Sequence, residues 1–158
     1  MTPEALIRTA RSYVGQRETK RNSSPLIDHW LQWVGQPPGE SWCAAFVCAC
    51  IHETEPNLGF LKSAGALKLI TRNPDRVISD PEPGCVVVWD HGKGKGHTGI
   101  VTDVLYTPQE FSAICGNADD KDSRSREGVM VAEHSGYSAS APNIAGFLRF
   151  CKPLKATA

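Results

Sequence analysis

The chain has 158 residues, of which 41% are hydrophobic, so it is long enough for one domain with a sizeable core and too short for two. We therefore expect a single domain over residues 1–158 and a monomer. Basic and acidic residues each number 17. With no net charge, the chain has no overall field that would attract nucleic acid, and nucleic acid is not an expected partner.

The N-terminal segment is charged where a secretory signal would be apolar. Residues 1–13 include Glu4, Arg8 and Arg11, and no stretch approaches the roughly 20 apolar residues of a membrane span. We expect no membrane span, and synthesis in the cytoplasm without a signal peptide. Cysteines of proteins made in the cytoplasm are usually reduced, so we expect the six cysteines to be free thiols.

Helix signals occupy the first half of the chain. Thr2 and Pro3 are typical of a helix start, and this helix is closed by Gly15. The other predicted helices run from Ser24 to Gly35, from Ser41 to about residue 52, and, more weakly, over residues 65–72. Cys43 would then lie in the first turn of the third helix, which has the apolar composition of a buried one.

Short β-branched or aromatic segments fill the second half, separated by Gly, Pro, Asp and Ser. These predicted strands are residues 85–89, 99–105, 111–115, 129–133 and 146–150. Helices followed by strands indicate an α+β domain. We expect N-terminal helices (about 1–75) packed on an antiparallel sheet of about five strands (about 84–152), with the site where the third helix meets the sheet.

Cys43 is the candidate nucleophile. A thiol reacts as thiolate, and a first helical turn beside an imidazole is an environment that lowers the pKa of a thiol. Among the five histidines, His97 is the best candidate base because it opens the strand at residues 98–104, where a rigid element would hold its ring. His91 lies at the edge of a glycine-rich loop, and His29 and His52 lie in predicted helices.

A Cys–His pair works best with a third group that orients the imidazole. Asn117 follows the next predicted strand and can offer its amide oxygen to the distal ring nitrogen. Asp103 and Asp119 are the rival candidates. A zinc hydrolase is the competing enzyme class, but the histidines lack an HExxH or CxxC frame, so neither a metal nor another cofactor is expected.

Four motifs, in this order and spacing, resemble the cysteine, histidine-dependent amidohydrolase/peptidase (CHAP) family. They are SWCAAFV at residues 41–47, PGCVVVW at 83–89, GHTGIV at 96–101 and GN at 116–117. The segments YVGQRE at 13–18 and SREGV at 125–129 also fit sequences of that kind.

The resemblance implies a papain-like α+β fold, bacterial peptidoglycan as substrate, and roles for Cys43 as nucleophile and His97 as base. The amide cut would join sugar to peptide or lie within the stem peptide or cross-bridge. Many members carry glutamate two residues before the asparagine, where this chain has Cys115. A neutral thiol cannot replace that charge, so the orienting role is moved to Asn117.

The resemblance does not identify the residues that bind the substrate or stabilise the oxyanion. The Cys43 backbone N–H is one expected oxyanion donor, and Gln36 or Ser41 is a candidate second donor. Ser41 also stands where members usually have proline, so its hydroxyl could cap the helix instead. Trp42 and Trp89 are expected in the core or pocket wall.

The resemblance does not identify the biological setting of the protein either. A phage lysin, a delivered antibacterial effector or a tail-associated enzyme would each act in the periplasm or cell wall after release or delivery. A delivered protein would add an immunity protein or a secretion or tail carrier as partner. The alternative function is a non-catalytic cell-wall-binding or phage structural module, since Cys115 could mark a degenerate site.

Overall fold

A computed structural model describes residues 1–106, 109–119 and 130–153 of the chain, and shows helices followed by one sheet. The helices are α1 (Pro3–Ser12), α2 (Pro25–Trp33), α3 (Cys43–Thr54) and α4 (Ala66–Arg72). The strands are β1 (Val77–Ile78), β2 (Val86–Gly92), β3 (Lys95–Tyr106), β4 (Gln109–Ala118), β5 (Met130–Ser138) and β6 (Ile144–Leu148). The predicted α+β class and its papain-like form are confirmed. The SREGV motif at 125–129 lies outside the described residues.

The helix starts follow from local capping chemistry, as predicted. The Thr2 hydroxyl accepts a hydrogen bond from the Ala5 N–H at 3.2 Å, and the Ser24 hydroxyl accepts one from the Ile27 N–H at 3.1 Å. Each cap is followed by proline, whose missing N–H costs nothing in a first turn. α1 and α2 therefore begin where the sequence indicates.

All neighbouring strands of the sheet are antiparallel, in the order β1-β6-β2-β3-β4-β5. The expected number was about five, and the sixth is β1, whose two residues pair with Leu148 and Phe147 of β6. Two residues carry too little periodicity to predict a strand. The last strand ends at Leu148, so the prediction that it reaches Phe150 is wrong.

The sheet separates two clusters of buried side chains. The helix-side cluster contains nearly all of α3, which packs on β3 and β4, together with residues such as Ile100 and Ile114. The opposite face holds an aromatic cluster built around Trp89, Phe111 and Tyr137.

The aromatic cluster shows that the sheet is strongly curled. Trp89 on β2 and Tyr137 on β5 have ring centroids only 5.0 Å apart, although β3 and β4 lie between their strands. In a flat sheet, strands three places apart are about 14 Å apart. The aromatic face is therefore concave, and the side chains of distant strands meet inside it.

The connection between β5 and β6 crosses this concave face. Its first residue, Ala139, donates its N–H to the Gln109 carbonyl at 3.0 Å, and the Asn143 carbonyl accepts from the Asp90 N–H at 2.8 Å. Residues 139–143 thus link the β4 and β2 sides of the sheet. None of the helices in the described part of the chain is long and apolar enough to cross a membrane.

Candidate active site

Cys43 is the first residue of α3, and its side chain is almost fully buried at 4% exposure. The N–H groups of a first helical turn point out of the helix end, and the helix dipole favours negative charge there. The N-cap residue is Trp42, and no side chain among the described residues caps the helix. The expectation that the Ser41 hydroxyl caps α3 is therefore wrong, and Ser41 itself is exposed one residue further out.

Trp42 fixes the start of α3 against the rest of the molecule. Its buried indole donates from Nε1 to the Glu18 carboxylate at 2.9 Å and packs against Trp30. On the sheet side, a Cβ placed on Gly116 would lie 2.8 Å from the Trp42 ring and 2.7 Å from Phe46 Cβ. Only glycine at this position lets β4 approach the first turn of the helix so closely.

His97 was expected just before the strand at residues 98–104, but it lies within β3, which begins at Lys95, and it is paired in register with Trp89 of β2. The two rings stack with centroids 5.6 Å apart. The imidazole is partly buried. The pKa of His97 is lowered to about 4, mainly by burial and also by the neighbouring His91, while Asp119 acts in the opposite direction.

The register of β3 and β4 brings the remaining candidates toward His97 and Cys43. His97 lies three residues before Ile100 on β3 and Asn117 lies three residues after its partner Ile114 on β4, so both follow the same end of this pairing. Cys115 lies against Gly99, since a Cβ on that glycine would overlap its sulfur. Burial raises the pKa of Cys115, and Cys43 is near enough to raise it further.

Asn117 has a backbone conformation that few residues adopt. Its φ is 54°, in the left-handed region that asparagine tolerates better than most side chains, and β4 shifts register against β5 between Cys115 and Ala118. Its Oδ1 atom is buried and has no hydrogen-bond partner among the described residues. Within the part of the chain that the structure describes, this buried amide oxygen is therefore available to accept a hydrogen bond.

Asp119 and Asp103 differ in their relation to His97. Asp119 acts electrostatically on the imidazole, and its own place is fixed by His134, whose Nε2 lies 3.0 Å from the Asp119 carbonyl and 3.3 Å from its Oδ1. Asp103 is exposed, six residues beyond His97 on the same strand, or about 20 Å away in extended chain. Of the two carboxylates, Asp119 is the one near the ring.

The other cysteines have surroundings that disfavour a thiolate. Burial raises the pKa of Cys48 to about 11, of Cys85 to about 12 and of Cys151 to about 11, and it raises that of Cys50 as well. Cys48 and Cys50 are fully buried core residues. Cys43 differs from these four in standing at a helix start that faces the end of β4.

A cleft of about 300 Å³ opens beside His97 at the mouth of the concave aromatic face. Trp89, His91 and His97 form one wall, and Tyr137, Ser138 and Asn143 contribute the other side. The His91 and His97 rings stack with centroids 6.3 Å apart. The cleft can therefore hold a group next to the imidazole.

The other candidate residues named from the sequence lie in different parts of the structure. Trp89 lines the cleft, whereas Trp42 is fully buried behind Cys43. Gln36 lines a separate cleft of about 500 Å³ formed by α2 and the loop that follows it. The structure thus brings Trp89, but not Gln36, to the cleft beside His97.

Glu18, His134, Tyr137 and Asn143 were not singled out from the sequence. Glu18 belongs to the YVGQRE segment, which was noted only as a resemblance. Tyr137 contacts Trp89 through the curl of the sheet, His134 contacts Asp119, and Asn143 lines the cleft. No local sequence pattern marks these three residues. These residues lie dozens of positions from His97 in the sequence, so the spacing of motifs could not identify them.

Comparison with known proteins identifies one family. A family model described as CHAP domain matches residues 35–117, which is more than half of the chain and includes Cys43, His97 and Asn117. No curated protein and no solved structure gives a match.

Proposed function

The chain belongs to the CHAP domain family, a family of peptidoglycan amidases and peptidases, and from this premise we propose that it hydrolyses an amide bond of bacterial peptidoglycan with Cys43 as nucleophile and His97 as base. The observation that carries the proposal is the position of Cys43. It is the first residue of a buried helix that packs on β3 and β4, the two strands that carry His97 and Asn117.

The proposed reaction proceeds through a thioester. The Cys43 sulfur gives its proton to His97 and attacks the amide carbonyl, and His97 then protonates the departing amine. Water, deprotonated by His97, releases the acyl group and restores the thiol. The Cys43 backbone N–H at the helix start is the proposed oxyanion donor, a type of interaction worth about 3 kcal/mol.

A third group is needed because burial makes imidazolium costly at His97. Two candidates have support of different kinds: Asn117 has a buried amide oxygen that no described residue hydrogen-bonds, and Asp119 carries a charge that raises the pKa of the ring. We propose that Asn117 orients the imidazole and that Asp119 stabilises its protonated form. Asp119 would then supply the negative charge that many family members carry on a glutamate at the position of Cys115.

The proposed setting is the cell wall, reached by release as a phage lysin or by delivery as an antibacterial effector. The competing function is a non-catalytic wall-binding or phage structural module, which Cys115 favours because it replaces a charged residue of the family pattern. The two differ in one measurable property, the release of fragments from peptidoglycan.

The test is to incubate purified peptidoglycan with the wild type, Cys43→Ala and Cys151→Ala, and to analyse soluble fragments by mass spectrometry. Cys151→Ala is the matched control, because this buried thiol lies against the Gly84 carbonyl rather than at α3. We expect fragments from the wild type and Cys151→Ala only, and their masses identify the bond. Fragments from Cys43→Ala would overturn the proposal, and binding without fragments from any protein would favour the module.

A further inference from the structure

We propose that His134 is a positioning residue, which holds Asp119 in place so that its carboxylate can act on the imidazole of His97. This inference rests on the proposed function, in which Asp119 stabilises the protonated form of His97. It adds a residue of β5 to the site. Asp119 and His134 both lie beyond residues 35–117, the part of the chain that matches the family model.

His134 lies on the same face of the sheet as His97. It is paired with Ala113 of β4, and paired residues of antiparallel strands have their side chains on one face. Ala113 belongs to the aromatic cluster, so His134 faces the concave side of the sheet. The ring of His97 stacks on Trp89 of the same cluster. Both imidazoles are therefore on the concave face.

The contact between His134 and Asp119 is made by one ring nitrogen. Nε2 of His134 lies 3.0 Å from the backbone carbonyl oxygen of Asp119 and 3.3 Å from its Oδ1. A backbone carbonyl only accepts hydrogen bonds, so Nε2 carries a proton whether the ring is neutral or charged. The His134 side chain is 13% exposed, so little water competes for this donor. One N–H thus contacts both the main chain and the side chain of Asp119.

The charge of Asp119 acts on two rings at the cleft. The pKa of His97 is lowered by burial and by His91, and Asp119 acts in the opposite direction. Tyr137 lines the same cleft as His97. Its pKa is raised mainly by burial, with further contributions from Cys115 and Asp119. The Asp119 carboxylate is therefore near both rings, and its position affects how well protonated His97 is stabilised.

Asp119 needs a fixed position to have this effect. It directly follows β4, and its side chain is 39% exposed. A carboxylate that moves freely in water contributes little to a neighbouring charge. Glu133, the residue before His134, is bound to Arg11 at 2.9 Å and does not compete for the His134 ring. The His134 N–H is thus the contact that limits the motion of the Asp119 carboxylate.

The test replaces His134 with residues that do or do not keep the donor. His134→Phe keeps a planar ring without the N–H, and His134→Leu removes the donor without adding a ring. We expect both to lower the pKa of His97 by about 0.5, less than the 1–3 that a close opposite charge produces. The acid limb of the pH profile of fragment release should move down with it.

The conservative variant and the control separate positioning from packing. His134→Gln has a side-chain N–H of similar reach, so it should keep the pKa of His97 and the pH profile close to the wild type. The matched control is His29→Phe, the same change at an exposed histidine of α2, and it should change neither quantity. NMR titration of the His97 ring measures the pKa without turnover.

A double variant tests whether His134 acts through Asp119. In the Asp119→Asn background, His134→Phe should cause no further change in the pKa of His97. A change of equal size in both backgrounds, or an unchanged pKa in His134→Phe and His134→Leu, would overturn the inference and leave the proposed function intact. A wild type that releases no fragments, with the pKa of His97 still dependent on His134, would overturn the proposed function instead.

Discussion

The indole of Trp89 and the imidazole of His97 stack across β2 and β3, with ring planes 25° from parallel. The stacking packs one face of the imidazole against the Trp89 indole on the β2–β3 hairpin, which limits the motion of the ring. The same contact shields one face of the ring from water. Burial is the main reason that the pKa of His97 falls from 6.5 to about 4.

The stability of the protein should therefore depend on pH through His97. Between pH 6.5 and about 4 the unfolded chain binds a proton at this residue and the folded chain does not. The free energy of unfolding contributed by His97 should fall as the pH is lowered through that window, and stay constant above it. Urea unfolding of the wild type and His97→Gln at several pH values measures the difference.

The control for this experiment is His29→Gln, which changes an exposed histidine of α2. It should keep the wild-type slope of unfolding free energy against pH, whereas His97→Gln should flatten it. Equal slopes for wild type and His97→Gln would show that the imidazole is as well hydrated in the folded chain as in the unfolded one.

Asp119 and Asn117 should affect His97 in different ways. Asp119 raises the pKa of His97, so Asp119→Asn should lower that pKa further and reduce kcat. Asn117→Ala should leave the pKa nearly unchanged and reduce the rate by about 10- to 1,000-fold, because an orienting group acts on geometry. NMR titration of the His97 ring, together with fragment release from peptidoglycan, separates the two effects.

Asp103→Asn is the matched control, since this exposed carboxylate lies on the same strand but far from the ring. It should change neither the pKa of His97 nor the rate. If Asp119→Asn left the His97 pKa where it was, the electrostatic role proposed for Asp119 would be lost.

The sequence predicted the parts of the fold that depend on neighbouring residues. Thr2 and Ser24 cap their helices through bonds to residues three positions away, so both starts could be identified. Cys43 and His97 belong to contiguous motifs, so both could be proposed from the predicted start of a helix and of a strand, and then again from the family resemblance. The two-residue β1 exists only because β6 pairs with it, and no pattern within the chain marks it.

The surroundings of the candidate site depend on long-range geometry, which the sequence does not carry. Tyr137 contacts Trp89 only because the sheet curls. His134 contacts Asp119, although part of the chain between these two residues lies outside the described residues. The left-handed φ of Asn117 likewise arises at a register shift between β4 and β5. Pattern reasoning could name Asn117 and Asp119 but could not choose between them.

Alkylation should distinguish Cys43 from the other cysteines. Burial raises the pKa of the other five thiols, so near neutral pH they stay protonated and react slowly. Brief treatment with iodoacetamide should give one adduct, on Cys43, and hydrolysis should be lost in step with it. Peptide mapping by mass spectrometry locates the adduct, and a chelator should leave activity unchanged.

Cys43→Ala supplies the control, since it should take up no label under the same conditions. A first adduct on Cys48 or Cys115 would show that the local structure exposes those thiols and would weaken the case for Cys43. Loss of activity with a chelator, and not with iodoacetamide, would favour a zinc hydrolase.

Glu18 should be important for both stability and catalysis, although it lies 25 residues before the nucleophile in the chain. It accepts the hydrogen bond of the buried Trp42 indole, the residue that precedes Cys43. Glu18→Ala would leave that N–H without its acceptor, at a cost of about 1–3 kcal/mol in the free energy of unfolding. The start of α3 would then be less well fixed, so kcat should fall too.

Glu18→Gln separates the hydrogen bond from the charge, because its amide oxygen can accept from the same indole. It should retain most of the stability and most of the rate in urea unfolding and fragment-release assays, while Glu40→Ala, at an exposed loop residue, should match the wild type. If Glu18→Gln lost as much as Glu18→Ala, the carboxylate charge would be the important property. If neither variant changed either quantity, Trp42 would be held by packing against Trp30 and Gly116 alone.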